Sequence, residues 1–112
     1  MADTIFGRIL RGEVPAHFLH QDELCVAFAD IAPQAPFHVL VVPRKAVVNI
    51  GAATEVERDL LGHLQLVGAQ LARAAGHDNF RMVTNSGAEA GQSVMHLHIH
   101  VLAGRAFKWP PG

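Results

Sequence analysis

The sequence predicts an α+β domain: a five-stranded, mostly antiparallel sheet with two helices. Three observations support this. Two segments repeat their apolar residues at helical spacing, five short segments read as strands, and the connections between them are short. At 112 residues the chain makes one domain, 1–112, around a single hydrophobic core.

The elements follow in order. "TIFGRILRG" places Ile5, Ile9 and Leu10, with Phe6, on one side of a helix that Thr4 caps, and the stretch from Gly12 to Pro15 ends it. "HFLHQ" (17–21) and "CVAFAD" (25–30) read as a hairpin turning at Asp22 and Glu23. "FHVLVVP" (37–43) is a strand closed by Pro43. A long helix is expected over 54–75, opened by a Thr54/Glu57 capping box and ended by Gly76. Its apolar positions 56, 60, 61, 64, 67, 71, 72 and 75 keep a 3.6-residue period if Gly68 is counted with them. Gly62 and Gly68 each cost about 1 kcal/mol against alanine, which is easier to accept where a sheet or second subunit approaches the backbone. "FRMVTN" (80–85) and "VMHLHIHVLA" (94–103) complete the strands, joined by "SGAEAGQS". The two prolines of "FKWPPG" keep the tail out of any central strand.

Composition narrows the function classes. Half the residues are hydrophobic, 17% are charged and the net charge is −1 without a basic run, which argues for a soluble globule and against nucleic acid as a partner. Cys25 is the only cysteine, so neither a disulfide framework nor a cysteine-rich zinc module is available. No apolar run approaches the ~20 residues of a membrane span, and the N-terminus lacks a signal-peptide pattern. A cytoplasmic location is expected.

"SVMHLHIHVL" (93–102) carries the main functional signal. On a strand His96, His98 and His100 share one face and Leu97, Ile99 and Val101 the other. The apolar face should meet the helices and the histidine face a cleft. A solvated polar face is one reading, but three histidines in strict alternation are hard to dismiss as that. A metal is a second reading, with His38 as a further ligand; the outer two histidines are about 13 Å apart along a strand, at the limit of what two imidazoles can bridge. The third reading makes His98 a nucleophile toward phosphorus, since an imidazole with an ordinary pKa near 6.5 is mostly neutral at pH 7. Its remaining ring nitrogen then needs a hydrogen bond, and the phosphate oxygens need donors. Gly87 and Gly91 allow backbone amides to face an anion, and Gln92 and Ser93 add side-chain donors. Asp30, closing "CVAFAD", is placed to accept hydrogen bonds from ribose hydroxyls or simply to start a turn, and Phe28 and Ile31 are candidate walls of a base pocket.

With these residues in hand the chain resembles the histidine triad (HIT) superfamily, since His96-Leu97-His98-Ile99-His100-Val101-Leu102 matches its His-φ-His-φ-His-φ-φ motif. "IFGRILRGEVPA", "DIAPQAPFHVLVVP", "GQSVMHLHIHVL" and "WPPG" resemble its HINT branch, in order and over nearly the whole chain. The resemblance implies a HIT-like homodimer acting as a purine nucleoside phosphoramidase. Such an enzyme cleaves the P–N bond of adenosine or guanosine 5′-phosphoramidates, including lysine-linked nucleotides, without metal or other cofactor. By that pattern His98 is the nucleophile that is transiently nucleotidylated, and Ser93 lies near the leaving group and phosphate. His100 matches a phosphate contact, and His96 and His38 match supporting histidines. Asp30 and Ile31 match ribose and base contacts; Asn85, Gly91 and Gln92 match other nucleotide contacts. Trp109 belongs to a C-terminal segment that in this branch approaches the partner's site. One position departs: after "VVPRK", where many relatives carry another histidine, this chain has Ala46. Two rivals remain at this point: a related HIT activity such as dinucleotide hydrolysis or nucleotidyl transfer, and a nucleotide-binding regulatory protein whose hydrolysis is incidental.

Overall fold

The computed structural model describes residues 3–112. The chain runs through α1 (Ile5–Leu10), β1 (His20–Gln21), β2 (Cys25–Ala29), β3 (Phe37–Pro43), α2 (Arg58–Ala74), β4 (Phe80–Val83) and β5 (Ile99–Ala103). The strands form one sheet in the order β1-β2-β3-β5-β4, with every neighbouring pair antiparallel. The α+β class with five strands and two helices is therefore the observed one. Among the described residues no helix is long and apolar enough to cross a membrane.

Strand alternation divides the core in two. Cys25, Ala27, Val39, Val41, Leu97, Ile99 and Val101 face α2, which adds Leu64 and Val67. Val26, Phe28, Leu40 and Val42 face the other way, where α1 adds Phe6 and Ile9. The expectation that the helices share the apolar side of the histidine segment is thus corrected: α1 lies on the histidine face. An amphipathic helix declares which stripe it buries but not which side of a sheet will receive it.

Local signals explain the ends of the elements. Thr4 Oγ1 accepts the Gly7 amide at 3.0 Å, a cap that contributes about 1 kcal/mol. Ile5, expected on the buried side of α1, is exposed; a six-residue helix buries a single stripe, and Phe6 and Ile9 occupy it. The Thr54/Glu57 capping box is present, with Glu57 Oε1 accepting the Thr54 amide at 2.8 Å. The first turn after it, Glu55–Glu57, is 3₁₀, so the α-helix begins at Arg58 and Val56 stays exposed. Gly68 is where α2 meets the sheet most closely: a Cβ there would lie 2.8 Å from Met82 Cε and 2.9 Å from Val101 Cγ2. Gly62 has nothing within 4 Å of that position.

The hairpin is shorter than expected, with β1 reduced to two residues, although the Leu19 amide still reaches the Ala27 carbonyl at 2.8 Å. Its turn is organised by Asp22, whose Oδ1 accepts the amides of Leu24 and Cys25 at 2.7 and 2.8 Å. The last strand begins at Ile99 rather than at residue 94. Residues 94–98 leave the ladder; there the Leu97 amide donates to the Val47 carbonyl at 2.7 Å.

Candidate active site

The alternation of the histidine segment survives its departure from the sheet. Leu97 and Ile99 enter the α2-side core, while the His98 ring meets the Phe6 ring edge-on, with centroids 5.0 Å apart. His96 and His98 are buried, and His100 is partly open. All three were expected on one strand face; only His100 stands in the ladder, between Leu40 and Val83.

Hydrogen bonds fix the protons on the rings. His98 Nδ1 lies 2.7 Å from the His96 carbonyl. A carbonyl only accepts, so Nδ1 carries the proton, and in the neutral ring Nε2 keeps a free lone pair. His96 Nε2 donates to the Pro43 carbonyl at 2.8 Å, which ties this ring to the end of β3. The Gln34 amide donates to His38 Nδ1 at 2.9 Å, so His38 Nε2 holds the proton and donates to His100 Nδ1 at 2.9 Å. His100 must then carry its own proton on Nε2, as a donor for a ligand. Burial lowers the pKa values of His38, His96 and His100 below the ordinary histidine value. For His100 the neighbouring His98 and His38 add to the effect and Asp30 opposes it. All three are neutral at pH 7, as the hydrogen-bond pattern requires.

Of the two roles the sequence allowed Asp30, the turn is the one observed. Its Oδ1 accepts the Ala32 amide at 2.8 Å to start a turn, and its Oδ2 lies 3.4 Å from His38 Nε2. Asp30, His38 and His100 each bring one possible ligand atom within 4.8 Å of the others. Ligation by His38 Nε2 would move its proton to Nδ1, against the Gln34 amide, so this trio is built for hydrogen bonding.

A cavity of about 580 Å³ opens over this face, the size of a small-molecule site. Of the expected site residues, Asp30, Ile31, Ser93, His98 and His100 line it. His38 and His96 do not line it; His38 bonds to His100 at 2.9 Å, and the His96 carbonyl accepts from His98 at 2.7 Å. The apolar wall was only partly foreseen: Phe28 and Ile31 are joined by Phe6, Ile9, Val14 and Leu40. The signal for Phe6 and Ile9 was the apolar stripe of α1. His17 also lines the cavity, and no sequence pattern marked it.

The loop before the triad is arranged differently from expectation. Gly87 and Gly91 do adopt positive φ, 96° and 97°, which glycine accommodates without a Cβ clash. Their amides are spent inside the loop: Gly87 N–H donates to Gln92 Oε1 at 2.8 Å and Gly91 N–H to the Ala88 carbonyl at 3.0 Å. Buried Gln92 uses its amide nitrogen on the Val48 and Val94 carbonyls, at 2.8 and 3.0 Å. Gln92 is thus the brace of the loop, and Asn85 packs beside Gly91; none of Asn85, Gly91 and Gln92 lines the cavity. Among the described residues the amides of Ser93 and Val94 have no protein acceptor, and both residues line the cavity. Ala46 borders a separate space of about 290 Å³ with Arg11, Arg44 and His96.

Comparison with known proteins agrees with this geometry. Residues 11–107 match the model of the HIT domain family. An uncharacterised HIT-like protein of Synechocystis is 52% identical over 111 residues, covering 98% of this chain and 97% of that protein. A HIT family hydrolase from Legionella pneumophila superimposes with a TM-score of 0.95 at 38% identity, over 98% of this chain and 100% of that one. A histidine triad protein from Clostridium difficile gives a TM-score of 0.90 at 37% identity, over 96% of each chain.

Proposed function

The chain belongs to the HIT domain family, and from that premise we propose that it hydrolyses the P–N bond of purine nucleoside 5′-phosphoramidates through a nucleotide carried on His98. The observation that carries this reading is the 2.7 Å bond from His98 Nδ1 to the His96 carbonyl, which makes Nε2 the lone-pair nitrogen of the neutral ring, on a side chain that lines the cavity. Similarity to a HIT family hydrolase supports the hydrolytic class.

The chemistry follows from these groups. His98 Nε2 attacks phosphorus, the P–N bond breaks, and its electron pair leaves with the amine, which takes a proton from solvent. The nucleotidylated ring is cationic, and the His96 carbonyl dipole stabilises it. Water then attacks phosphorus and loses a proton to solvent, the P–Nε2 bond breaks with its electron pair returning to the imidazole, and the nucleoside monophosphate departs. His100 Nε2–H and the free amides of Ser93 and Val94 are the donors for the non-bridging oxygens, worth most in a site that excludes water. Ser93 Oγ is the side chain assigned to the leaving group. Asp30 Oδ2 takes the ribose hydroxyls, and Phe6, Ile9, Phe28 and Ile31 enclose the purine. No step requires a metal.

A homodimer in the cytoplasm belongs to the same proposal. Exposed Leu66 on α2 and exposed Trp109 in the tail support an interface, because large apolar side chains at the surface favour contact with another chain.

Adenosine 5′-phosphoramidate and diadenosine polyphosphate, offered to the same preparation, test the reading. Faster turnover of the P–N substrate, with a nucleotidyl group found on His98 by mass spectrometry after rapid quenching, is expected. Preference for the P–O–P substrate, or a label on another residue, would overturn it.

A further inference from the structure

A second cluster of chemically capable side chains lies on the other face of the sheet. His20 pairs with Ala27 across β1 and β2, and Ala27 and Cys25 belong to the α2-side core. His63, on α2, leans over the same hairpin. His20 Nε2 and His63 Nε2 each donate to Asp22 Oδ2 at 2.7 Å, and the Cys25 thiol donates to the same oxygen at 3.6 Å. Three side-chain donors therefore converge on one carboxylate oxygen. The other oxygen, Oδ1, is held by two backbone amides of the turn, so the direction of Oδ2 is set before any ligand arrives.

We propose that His20, Asp22, Cys25 and His63 form a binding site for a divalent cation, with zinc the best match, that clamps the β1–β2 hairpin to α2. Two imidazoles, a carboxylate and a thiolate are the ligand types of tetrahedral zinc. Two neutral rings and two anions also balance the charge of the cation.

Distance, tautomer and access agree. The ligand atoms of His20, Asp22 and Cys25 all lie within 4.8 Å of one another. Zinc bonds of about 2.0–2.3 Å put tetrahedral ligands roughly 3.3–3.8 Å apart, so these three need to close in by only about 1 Å, and His63 Nε2 joins them through its 2.7 Å approach to Asp22 Oδ2. Among the described residues the Nδ1 atoms of His20 and His63 make no hydrogen bond. Each ring can carry its proton there and turn the Nε2 lone pair to the cation, the shift that Gln34 denies to His38. The Cys25 thiol gives up its proton to solvent on ligation. His20, Asp22 and His63 are partly exposed, which leaves an entry path, while buried Cys25 forms the floor. The site is independent of the proposed hydrolysis, because the sheet separates it from His98.

Cobalt(II) chloride titrated into the full chain tests this, since cobalt in a tetrahedral thiolate site gives visible d–d bands and a near-ultraviolet sulfur-to-metal band. The wild type is expected to show both, with zinc displacing them. His63→Gln keeps a donor for Asp22 but is a poor ligand; it should fold normally by circular dichroism, keep hydrolytic activity and bind cobalt at least roughly tenfold more weakly. Cys25→Ser should lose the sulfur band, and His38→Gln should keep both. Absence of the sulfur band in the wild type, bands unchanged in His63→Gln, or bands lost in His38→Gln would overturn the assignment.

Discussion

His38 Nε2 lies 2.9 Å from His100 Nδ1, and the Gln34 amide on the far nitrogen of His38 makes this bond directional. A single backbone N–H thus dictates the protonation of two imidazoles and points the His100 proton at the cavity. His38→Ala should release that control while leaving His98 in place. Turnover of a phosphoramidate is expected to fall on the order of 10- to 100-fold, mainly in kcat, with a shifted pH profile. Steady-state kinetics across pH checks it.

Stability should depend on pH through the buried histidines. Burial lowers the pKa values of His38, His96 and His100, so in the window below about pH 6.5 the unfolded chain binds protons that the folded chain refuses. Their contribution is complete above that pH and is lost as the pH falls, by at most about 1.4 kcal/mol per pH unit for each histidine. Urea unfolding between pH 5 and 8 measures it. A midpoint that rises with pH up to this value and then levels is expected, and a flat midpoint below it would contradict the account.

The two helix glycines should respond oppositely to alanine. At Gly68 the new methyl would meet Met82 and Val101 below 3.0 Å. Met82 can swing away, but Val101 is β-branched and buried, so a net loss of about 1–2 kcal/mol is expected despite the gain in helix propensity. At Gly62 nothing is in the way, and alanine should stabilise by up to about 1 kcal/mol. Chemical denaturation of both variants at one protein concentration gives the comparison.

Gln92→Ala should disturb both the loop and the site. It leaves the Gly87 amide and the Val48 and Val94 carbonyls without their partner, a loss of about 2–4 kcal/mol. Because Ser93 and Val94 follow directly, KM for a phosphoramidate should rise with the destabilisation. Denaturation and kinetics on the same preparation test both parts.

Much of this was legible from local chemistry. Thr4 and Thr54 announced their caps, alternation sorted the strand faces, and the histidine segment pointed to the face where the cavity opens. What stayed hidden depends on long-range geometry. Nothing local tells that α1 closes over the histidine side, or that Val94–His98 pairs with the Val47 carbonyl instead of entering the ladder. The bond between His38 and His100 spans 62 residues and follows from the β3–β5 register. Gln92 read as a ligand donor because its amide is polar; only the folded loop shows that both ends of that amide are already engaged. The His20–Asp22–His63 cluster was invisible for the same reason, since His63 reaches the hairpin from a helix 41 positions away.

The central claim is that His98 Nε2 is the nucleophile. Its most direct test is release of the amine from a fluorogenic adenosine 5′-phosphoramidate by wild type and His98→Ala, each with and without EDTA, alongside AMP binding. The account predicts wild-type turnover that survives EDTA, a fall of at least about 10³-fold in His98→Ala, and AMP binding in both. Turnover that persists in His98→Ala, or that disappears with EDTA, would contradict it.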